Sequence, residues 1–147
     1  MTRVALAGRA LVAAQFALIG WLVWPFTAQA WTPAALALLA CAGLLGAWTV
    51  SHNRPGNFNI RPEPRAGGRL VTGGPYRYVR HPMYSAVLLF GAAEVIAYAD
   101  GWKVAAWIAL ALVLLAKAVL EERGLRTQFA GYAAYAARVR RFVPWVV

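Results

Sequence analysis

The sequence predicts an all-α integral membrane protein with four transmembrane helices, a cytoplasmic loop and a C-terminal amphipathic helix. Hydrophobic residues make up 61% of the 147-residue chain and charged residues only 14%, whereas about half of a soluble globular domain is apolar. The apolar residues form four long segments, and the arginines lie outside or at the ends of these segments. The length suits one domain covering residues 1–147.

The four predicted spans each approach the roughly 20 apolar residues needed to cross a bilayer. They are residues 4–24, 31–50, 82–99 and 101–120. Tryptophans 21, 24 and 31 bracket one interface, as in an aromatic belt. Because the first apolar run is long and a second follows closely, we expect an uncleaved span at the start, not a signal peptide.

The charges predict one orientation for all four spans. A net charge of +10 arises from 15 lysines and arginines against 5 acidic residues. Arginines concentrate near the start and in segments 51–81 and 121–147, whereas the connectors 25–30 and 99–103 carry one aspartate and one lysine. The positive-inside rule therefore places both termini, the loop and the tail in the cytoplasm. The alanine, arginine and tryptophan usage and the short length favour a bacterial inner membrane as the location. We expect membrane lipids as partners and no nucleic acid, because the basic residues follow topology.

The loop and the tail differ in the secondary structure that their residues predict. Four prolines and five glycines in loop 51–81 exclude a long helix there. In the tail, Leu125, Phe129, Tyr132 and Tyr135 recur at spacings of four and three. This period predicts an amphipathic helix that lies on the membrane or folds back over the loop.

The stretch "GPYRYVRHPMYS", residues 74–85, is the first candidate for a site. Pro82 fits the first turn of a helix, so His81 is predicted at the N-cap of span three, where free backbone N–H groups can hold an anion. Tyr84 follows one turn later. The alternative is a plain interfacial boundary, with arginine and tyrosine at the headgroups and an incidental histidine.

The second candidate is the acid pair Glu121 and Glu122 at the end of span four, on the same predicted side as His81. Two acids at a helix C-terminus oppose the helix dipole, and such a broken rule often marks function. Lys117, four residues earlier, offers a plain salt bridge as the alternative. The single cysteine, Cys41, excludes an intrachain disulfide and a cysteine-based metal site, and no metal site is predicted.

Glu94 lies inside span three, and a carboxylate within a span is a functional candidate by default. A structural role paired with Lys103 is the preferred interpretation. The alternative is a small four-helix transporter that uses Glu94.

Three stretches together resemble a known family. "LVTGGPYRYVRHPMY", the downstream "EE" and "F-x-x-Y-x-x-Y-x-x-R-V" are similar to the isoprenylcysteine carboxyl methyltransferase and phospholipid methyltransferase family, and "GNFNI" looks like its approach to the site. The resemblance runs from about Asn57 to Pro144. It implies a methyltransferase that uses S-adenosylmethionine and acts at the membrane face on a small amphiphilic or lipid-like acceptor.

The resemblance also implies the site residues. The loop, the start of span three and the acid pair would hold the cofactor, Glu122 in a supporting role, through Glu63, Gly68, Arg69, Leu70, Val71, Tyr76, His81, Pro82, Met83, Tyr84, Glu121 and Glu122. Lys117 would contact substrate, at the position where the carboxyl methyltransferases have an arginine. Lysine cannot grip a carboxylate bidentately, so the acceptor stays open between a carboxylate, an amine and a thiol.

A second resemblance and the lack of a nucleotide-binding motif bear on the choice of function. A sterol reductase family shares an RHPxY-type half, but its members have many more spans than this chain predicts. No G-x-G-x-x-G follows a strand, and each cytoplasmic piece has about thirty residues, too few for a parallel-sheet nucleotide fold. The cofactor is therefore expected to be held by loops, helix ends and the tail.

Overall fold

The computed structural model describes residues 3–25, 31–53, 57 and 67–144. Within these ranges the protein is helical and has no strand. In chain order the elements are α1 (Arg3–Val23), α2 (Pro33–His52), a 3₁₀ turn (Gly74–Arg77), α3 (Pro82–Tyr98), α4 (Gly101–Gln128) and α5 (Tyr132–Arg138).

Local chemistry sets the ends of the helices. Thr32 caps α2, because its hydroxyl accepts a hydrogen bond from the N–H of Ala35 at 3.2 Å, and a proline follows in the first turn. Asp100 caps α4 in the same way, accepting from the N–H of Trp102 at 3.0 Å. Ala99 ends α3 in the left-handed region with φ 50°. The short turn between α3 and α4 makes these helices an antiparallel pair.

Among the described residues, three helices are long and apolar enough to cross a membrane, namely Ala5–Val23, Pro33–His52 and Gly101–Gln128. The 17 residues of α3 are also apolar, but they rise only about 26 Å at about 1.5 Å per residue. This falls short of the roughly 30 Å hydrocarbon layer. Three of the four predicted spans are confirmed as helices of spanning length, and a crossing by α3 stays a prediction.

The helices pack in two layers that meet at α3 and α4. α1 lies along α4, α2 lies along α3, and α3 contacts α4. Leu22 of α1 is fully buried against Ala106, Leu110 and Leu114 of α4. Large apolar side chains such as Leu44 and Leu112 remain exposed on the outer faces, as lipid-facing positions would be.

The prediction of one amphipathic helix in the tail is wrong. α4 continues past residue 120 as far as Gln128, so Leu125 belongs to α4. Glu121 and Glu122 therefore lie inside α4, and the prediction that they stand at a helix C-terminus is wrong. Phe129 then adopts an extended conformation, with φ −123° and ψ 110°, and interrupts the helix. Tyr132 and Tyr135 are buried on the separate α5, which has 7 residues. The regular spacing from Leu125 to Tyr135 therefore runs across the end of α4, a break at Phe129 and the start of α5.

Glu94 is engaged with Lys103, as the preferred interpretation expected. Lys103 Nζ lies 3.8 Å from Glu94 Oε2, and both side chains are buried. The ammonium also donates to the carbonyl oxygens of Leu22 and Trp24 at the end of α1, and it lies 3.9 Å from the centre of the Tyr98 ring. This group ties α3 and α4 to α1 at the end of the bundle that holds the α3–α4 turn.

We expect Lys103→Met to lower the free energy of unfolding by about 3–5 kcal/mol, because it leaves the buried Glu94 carboxylate without its cation. Adding Glu94→Leu should recover much of this loss, since a buried ion pair can be replaced by apolar residues at little cost. Thermal unfolding in detergent, followed by tryptophan fluorescence, measures both effects, with the exposed Leu112→Met as the control. Equal midpoints for the single and double variants would contradict the coupling.

Candidate functional site

The 3₁₀ turn and the start of α3 bring His81 to the edge of the bundle. Gly74 has φ 57°, a conformation that favours glycine, and Pro75 after it is buried. Pro82 occupies the first turn of α3 and His81 is the N-cap residue, as the sequence predicted. The His81 side chain makes no capping hydrogen bond to the helix. It points instead at the acid pair of α4.

Glu122 is the buried acceptor that organises this corner. Its Oε1 accepts from Arg80 Nε at 3.0 Å and lies 2.9 Å from Arg80 Nη2. His81 Nε2 lies 3.1 Å from the same oxygen, and Arg141 donates to both carboxylate oxygens at 3.1 and 3.2 Å. An ionised carboxylate can only accept hydrogen bonds. Nε2 of His81 is therefore the protonated nitrogen, and it donates to Glu122 Oε1.

The segment of residues 139–142, here called the C-terminal strap, runs beside the start of α3. Val79 forms a parallel β-bridge with the strap. The carbonyl oxygens of residues 140–142 accept hydrogen bonds from the N–H of Arg80 at 2.7 Å, the N–H of His81 at 3.0 Å and the hydroxyl of Ser85 at 2.6 Å. The strap thus fixes the backbone on which His81 stands.

Arg80 also joins α5 to this corner. Its Nη1 donates to the carbonyl oxygen of Ala136 at 2.9 Å and to that of Val139. These carbonyls belong to the end of α5, where unpaired acceptors and the negative end of the dipole favour a cation. Sequence reasoning placed neither Arg80 nor Arg141 in the site, although both lie in the stretches that resemble the family or in their immediate continuation.

Glu121 faces the other way, with 29% of its side chain exposed. Tyr84 Oη donates to Glu121 Oε2 at 3.1 Å, and His81 Nδ1 lies 3.7 Å from the same oxygen. The rings of His81 and Tyr84 stack with centroids 5.3 Å apart and planes 4° apart. The predicted convergence of His81 with the acid pair is therefore present in the structure.

The opposite wall is built by an asparagine network. Asn57 Oδ1 accepts from the N–H of Arg69 at 2.9 Å, while its Nδ2 donates to Arg69 O at 3.1 Å and to Asn53 Oδ1 at 2.7 Å. Asn53 Nδ2 donates to Tyr76 Oη at 3.1 Å, and Tyr135 Oη donates to Tyr76 O at 2.7 Å. The two bonds between Asn57 and Arg69 hold this part of the loop against the wall, and residues 68–71 form no β-strand.

The tyrosines of this wall are neutral phenols and not bases. Burial raises the pKa of Tyr76 to about 12, with the nearby Glu121 carboxylate adding to the rise and the Asn53 hydrogen bond opposing it. Burial also raises the pKa of Tyr132 and of Tyr135. All three phenols therefore stay protonated near neutral pH.

The two walls enclose a cavity of about 330 Å³, here called the site cavity, between α1, α3, α4, α5 and residues 68–76. Its volume lies within the range of about 300–1,000 Å³ typical of small-molecule sites. Its polar groups come from α1, α4, α5, the start of α3 and the loop, whereas Phe16 and Ile19 of α1, Val87 of α3 and Leu125 of α4 add apolar surface.

Lys117 and Gln15 form another polar group in the site cavity. Lys117 is buried in α4 and donates to Oε1 of Gln15 in α1. Its Nζ lies 5.3 Å from the centre of the Tyr84 ring. The ion pair between Lys117 and Glu121 that the spacing offered does not form, because Lys117 turns to Gln15 while Glu121 accepts from Tyr84.

Most of the predicted site residues line the site cavity. They are Gly68, Arg69, Leu70, Val71, Tyr76, His81, Pro82, Met83, Tyr84, Lys117 and Glu121. Glu122 lies behind the wall, and Glu63 lies outside the described residues. Gln15 and Asn53 were missed. Gln15 was visible in the sequence as an uncharged polar residue in an apolar span.

Comparisons with known proteins found a family match and a partial match to a curated relative. A sequence model of the phospholipid methyltransferase family matches residues 31–131. The cobalt-zinc-cadmium resistance protein CzcN of Cupriavidus metallidurans is 40% identical over 82 residues, which cover 54% of this chain and 38% of that relative. The chain therefore spans well under half the length of that curated relative.

Proposed function

This chain belongs to the phospholipid methyltransferase family, and from that premise we propose that it transfers a methyl group from S-adenosylmethionine to an amphiphilic or lipid-like acceptor at the membrane face. The matched residues 31–131 include both the RHPxY turn and the acid pair. The observation that carries the proposal is the juxtaposition of Glu121, His81 and Tyr84 in one cavity, braced from behind by Glu122.

The chemistry of the lining suits this donor. The partly exposed Glu121 carboxylate offers an acceptor for ammonium or ribose hydroxyl groups, and it places negative charge near a sulfonium. The rings of Tyr76, Tyr84 and Tyr132 give the wall aromatic surface that attracts a cation. Residues 68–71 complete the lining at the edge of the site cavity.

The bound donor would supply a methyl carbon on a positively charged sulfur. The lone pair of the acceptor forms the new bond to that carbon while the carbon–sulfur bond breaks, and its electron pair returns to sulfur as the neutral thioether. Any proton on the acceptor atom leaves to solvent. Because the leaving group is good, orientation by the lining and exclusion of water can supply most of the catalysis.

The chain contributes position and a protected surface. Arg80 and Arg141 fix the Glu122 carboxylate, and Glu122 holds His81. His81 stacks on Tyr84, and Tyr84 in turn donates to Glu121. Together these contacts keep the Glu121 carboxylate at one place in the site cavity. The apolar α1 wall supports a lipid-like acceptor that reaches the cavity from the bilayer.

The transporter alternative gains less support from the geometry. Glu94 pairs with Lys103 near the α3–α4 turn and is not among the residues that line the site cavity. The cytoplasmic orientation of the site is part of our proposal and rests on the positive-inside rule. The location in a bacterial inner membrane is also part of it and rests on the alanine, arginine and tryptophan usage.

We expect the purified protein to bind S-adenosylhomocysteine and to transfer labelled methyl from S-adenosylmethionine to a component of membrane lipid extracts. Calorimetry measures the first, and scintillation counting followed by mass spectrometry measures the second. S-inosylhomocysteine, which lacks the adenine amino group, is a matched ligand control. A folded protein that shows neither heat nor thermal stabilisation with S-adenosylhomocysteine would contradict the proposal.

A further inference from the structure

A second cavity, here called the outer groove, has a volume of about 630 Å³ and lies on a different face of α3 from the site cavity. Ser85, Leu88 and Ala92 line it at spacings of three and four, whereas the site cavity takes Met83 and Val87 from α3. No described residue lines both cavities. The outer groove is therefore a separate site to which the proposed function assigns no role.

The body of the outer groove is apolar because its polar side chains are already bonded. Ser85 Oγ donates to the carbonyl oxygen of Phe142 at 2.6 Å, and Trp107 Nε1 donates to that of Leu88 at 2.9 Å. Trp48 of α2 forms a further wall, so α2, α3, α4 and the C-terminal strap all contribute. Such a cavity suits a hydrocarbon chain, since a polar ligand would lose its hydrogen bonds to water here.

One end of the outer groove has an aromatic and cationic rim. Tyr78 and Trp48 are 51% and 43% exposed, and their ring centroids lie 6.1 Å apart. Arg77 directly precedes Tyr78, and Arg140 forms the β-bridge with Val79, which also lines the groove. Both arginines are exposed, and among the described residues their guanidinium groups have no hydrogen-bond or ion-pair partner. The rim can therefore bind an anion.

The rim lies where the chain leaves the membrane. Trp48 is four residues from the end of α2, and Ser85 is three residues from the start of α3. Tryptophan and tyrosine are enriched at the level of the lipid headgroups, and arginines there attract anionic lipids. A phospholipid has the matching form, with a charged phosphate at the interface and an apolar chain that continues into the bilayer.

We propose that the outer groove binds one anionic phospholipid of the bilayer, with an acyl chain along α3 and the phosphate at Arg77 and Arg140. This lipid is a resident ligand and not the methyl acceptor, because the groove is separate from the site cavity. The proposal therefore does not depend on methyl transfer.

The bound chain also supports the C-terminal strap. Phe142 lines the outer groove, and its ring centroid lies 6.0 Å from that of His81 and 6.2 Å from that of Tyr84. An acyl chain on the groove side gives Phe142 apolar contacts on its other face. The lipid thus holds the strap against the backbone of Arg80 and His81, whose N–H groups donate to strap carbonyls.

The test uses the full chain, delipidated in maltoside micelles and titrated with dioleoyl phosphatidylglycerol. Dioleoylglycerol, which has the chains without the phosphate, and glycerophosphoglycerol, which has the headgroup without the chains, are the matched ligand controls. Native mass spectrometry counts bound lipid, and thermal stabilisation gives the affinity. We expect one phosphatidylglycerol per chain, bound at least tenfold more tightly than either control ligand.

Ala92→Phe places a ring in the outer groove and is expected to lower the phosphatidylglycerol affinity at least tenfold. Arg77→Gln and Arg140→Gln should each lower it about fivefold, the effect of one cation at an anionic membrane surface. These two surface variants test the site whether or not Ala92→Phe folds. Ala105→Phe and Arg123→Gln, at exposed positions of α4, are the controls and should leave the affinity unchanged.

Hydrogen exchange measures the support of the strap. We expect phosphatidylglycerol to slow the exchange of the Arg80 and His81 amide hydrogens several-fold, because both bond to the strap. Unchanged exchange with lipid bound would overturn that support.

Three results would overturn the lipid site itself. The first is wild-type affinity in both arginine variants, and the second is dioleoylglycerol that binds as tightly as phosphatidylglycerol. The third is a lipid-free wild-type dimer that Ala92→Phe converts to a monomer, which would assign the outer groove to a second copy of the chain.

Discussion

Glu122→Ala is expected to remove methyl transfer and to lower the free energy of unfolding by about 3–5 kcal/mol, as happens when one partner of a buried ionic group is deleted. The carboxylate accepts from Arg80, His81 and Arg141 at once, and it is only 3% exposed. Its loss leaves the largely buried guanidinium of Arg80 uncompensated. It also releases the His81 ring from its fixed orientation beside Glu121.

The thermal midpoint in detergent measures the stability part of this effect, and S-adenosylhomocysteine calorimetry measures the site. Glu122→Gln is the companion variant, because it keeps the shape and one acceptor oxygen while removing the charge. We expect it to fold, to lose less stability than the alanine variant and to bind S-adenosylhomocysteine more weakly than the wild type. Wild-type stability and affinity in both variants would show that Glu122 does not organise the site.

Glu121→Gln is expected to weaken S-adenosylhomocysteine binding by about 10- to 100-fold with little change in stability. The amide keeps an oxygen that can accept from Tyr84, so the wall should retain its arrangement. The variant loses the negative charge of Glu121. Hydrogen bonds to a charged group are worth about 1.5–3 kcal/mol, which corresponds to a change in affinity of about 10- to 100-fold.

Calorimetry at fixed pH and salt, together with thermal unfolding of the unliganded protein, checks this second prediction. Arg123→Gln is the matched control, since it alters the charge of an exposed neighbour on the same helix. We expect the control to bind as the wild type does. An affinity of Glu121→Gln within twofold of the wild type would remove Glu121 from the cofactor site.

The sequence predicted the parts of the site that depend on local patterns. Pro82 marked the start of α3, and the position of the acid pair near the same end of the bundle predicted that His81 and Glu121 would meet. Hydropathy identified the long apolar helices because the bilayer imposes their length. Only the resemblance gave the two acids separate roles. The structure adds a physical difference between them, because Glu122 is buried behind the wall and Glu121 is partly exposed.

Side-chain partners across the bundle could not be read from the chain. The spacing of Lys117 and Glu121 allowed an ion pair within α4, but the packing of α1 against α4 brought Gln15 into reach instead. Likewise, the spacing of aromatics in the tail matched one helix, and the extended conformation of Phe129 divided it into two. Both outcomes depend on tertiary contacts, which local periodicity does not encode.

The short length of α3 has a consequence for the membrane around the protein. If α3 crosses as predicted, its apolar core is several ångströms shorter than the hydrocarbon layer, and hydrophobic mismatch of this sign is relieved by local thinning of the lipid. Thinning on the α3 side would lower the headgroup plane toward His81. A lipid would then present its polar end at the level of the reaction without being lifted out of the leaflet, and turnover would depend on acyl-chain length in reconstituted vesicles.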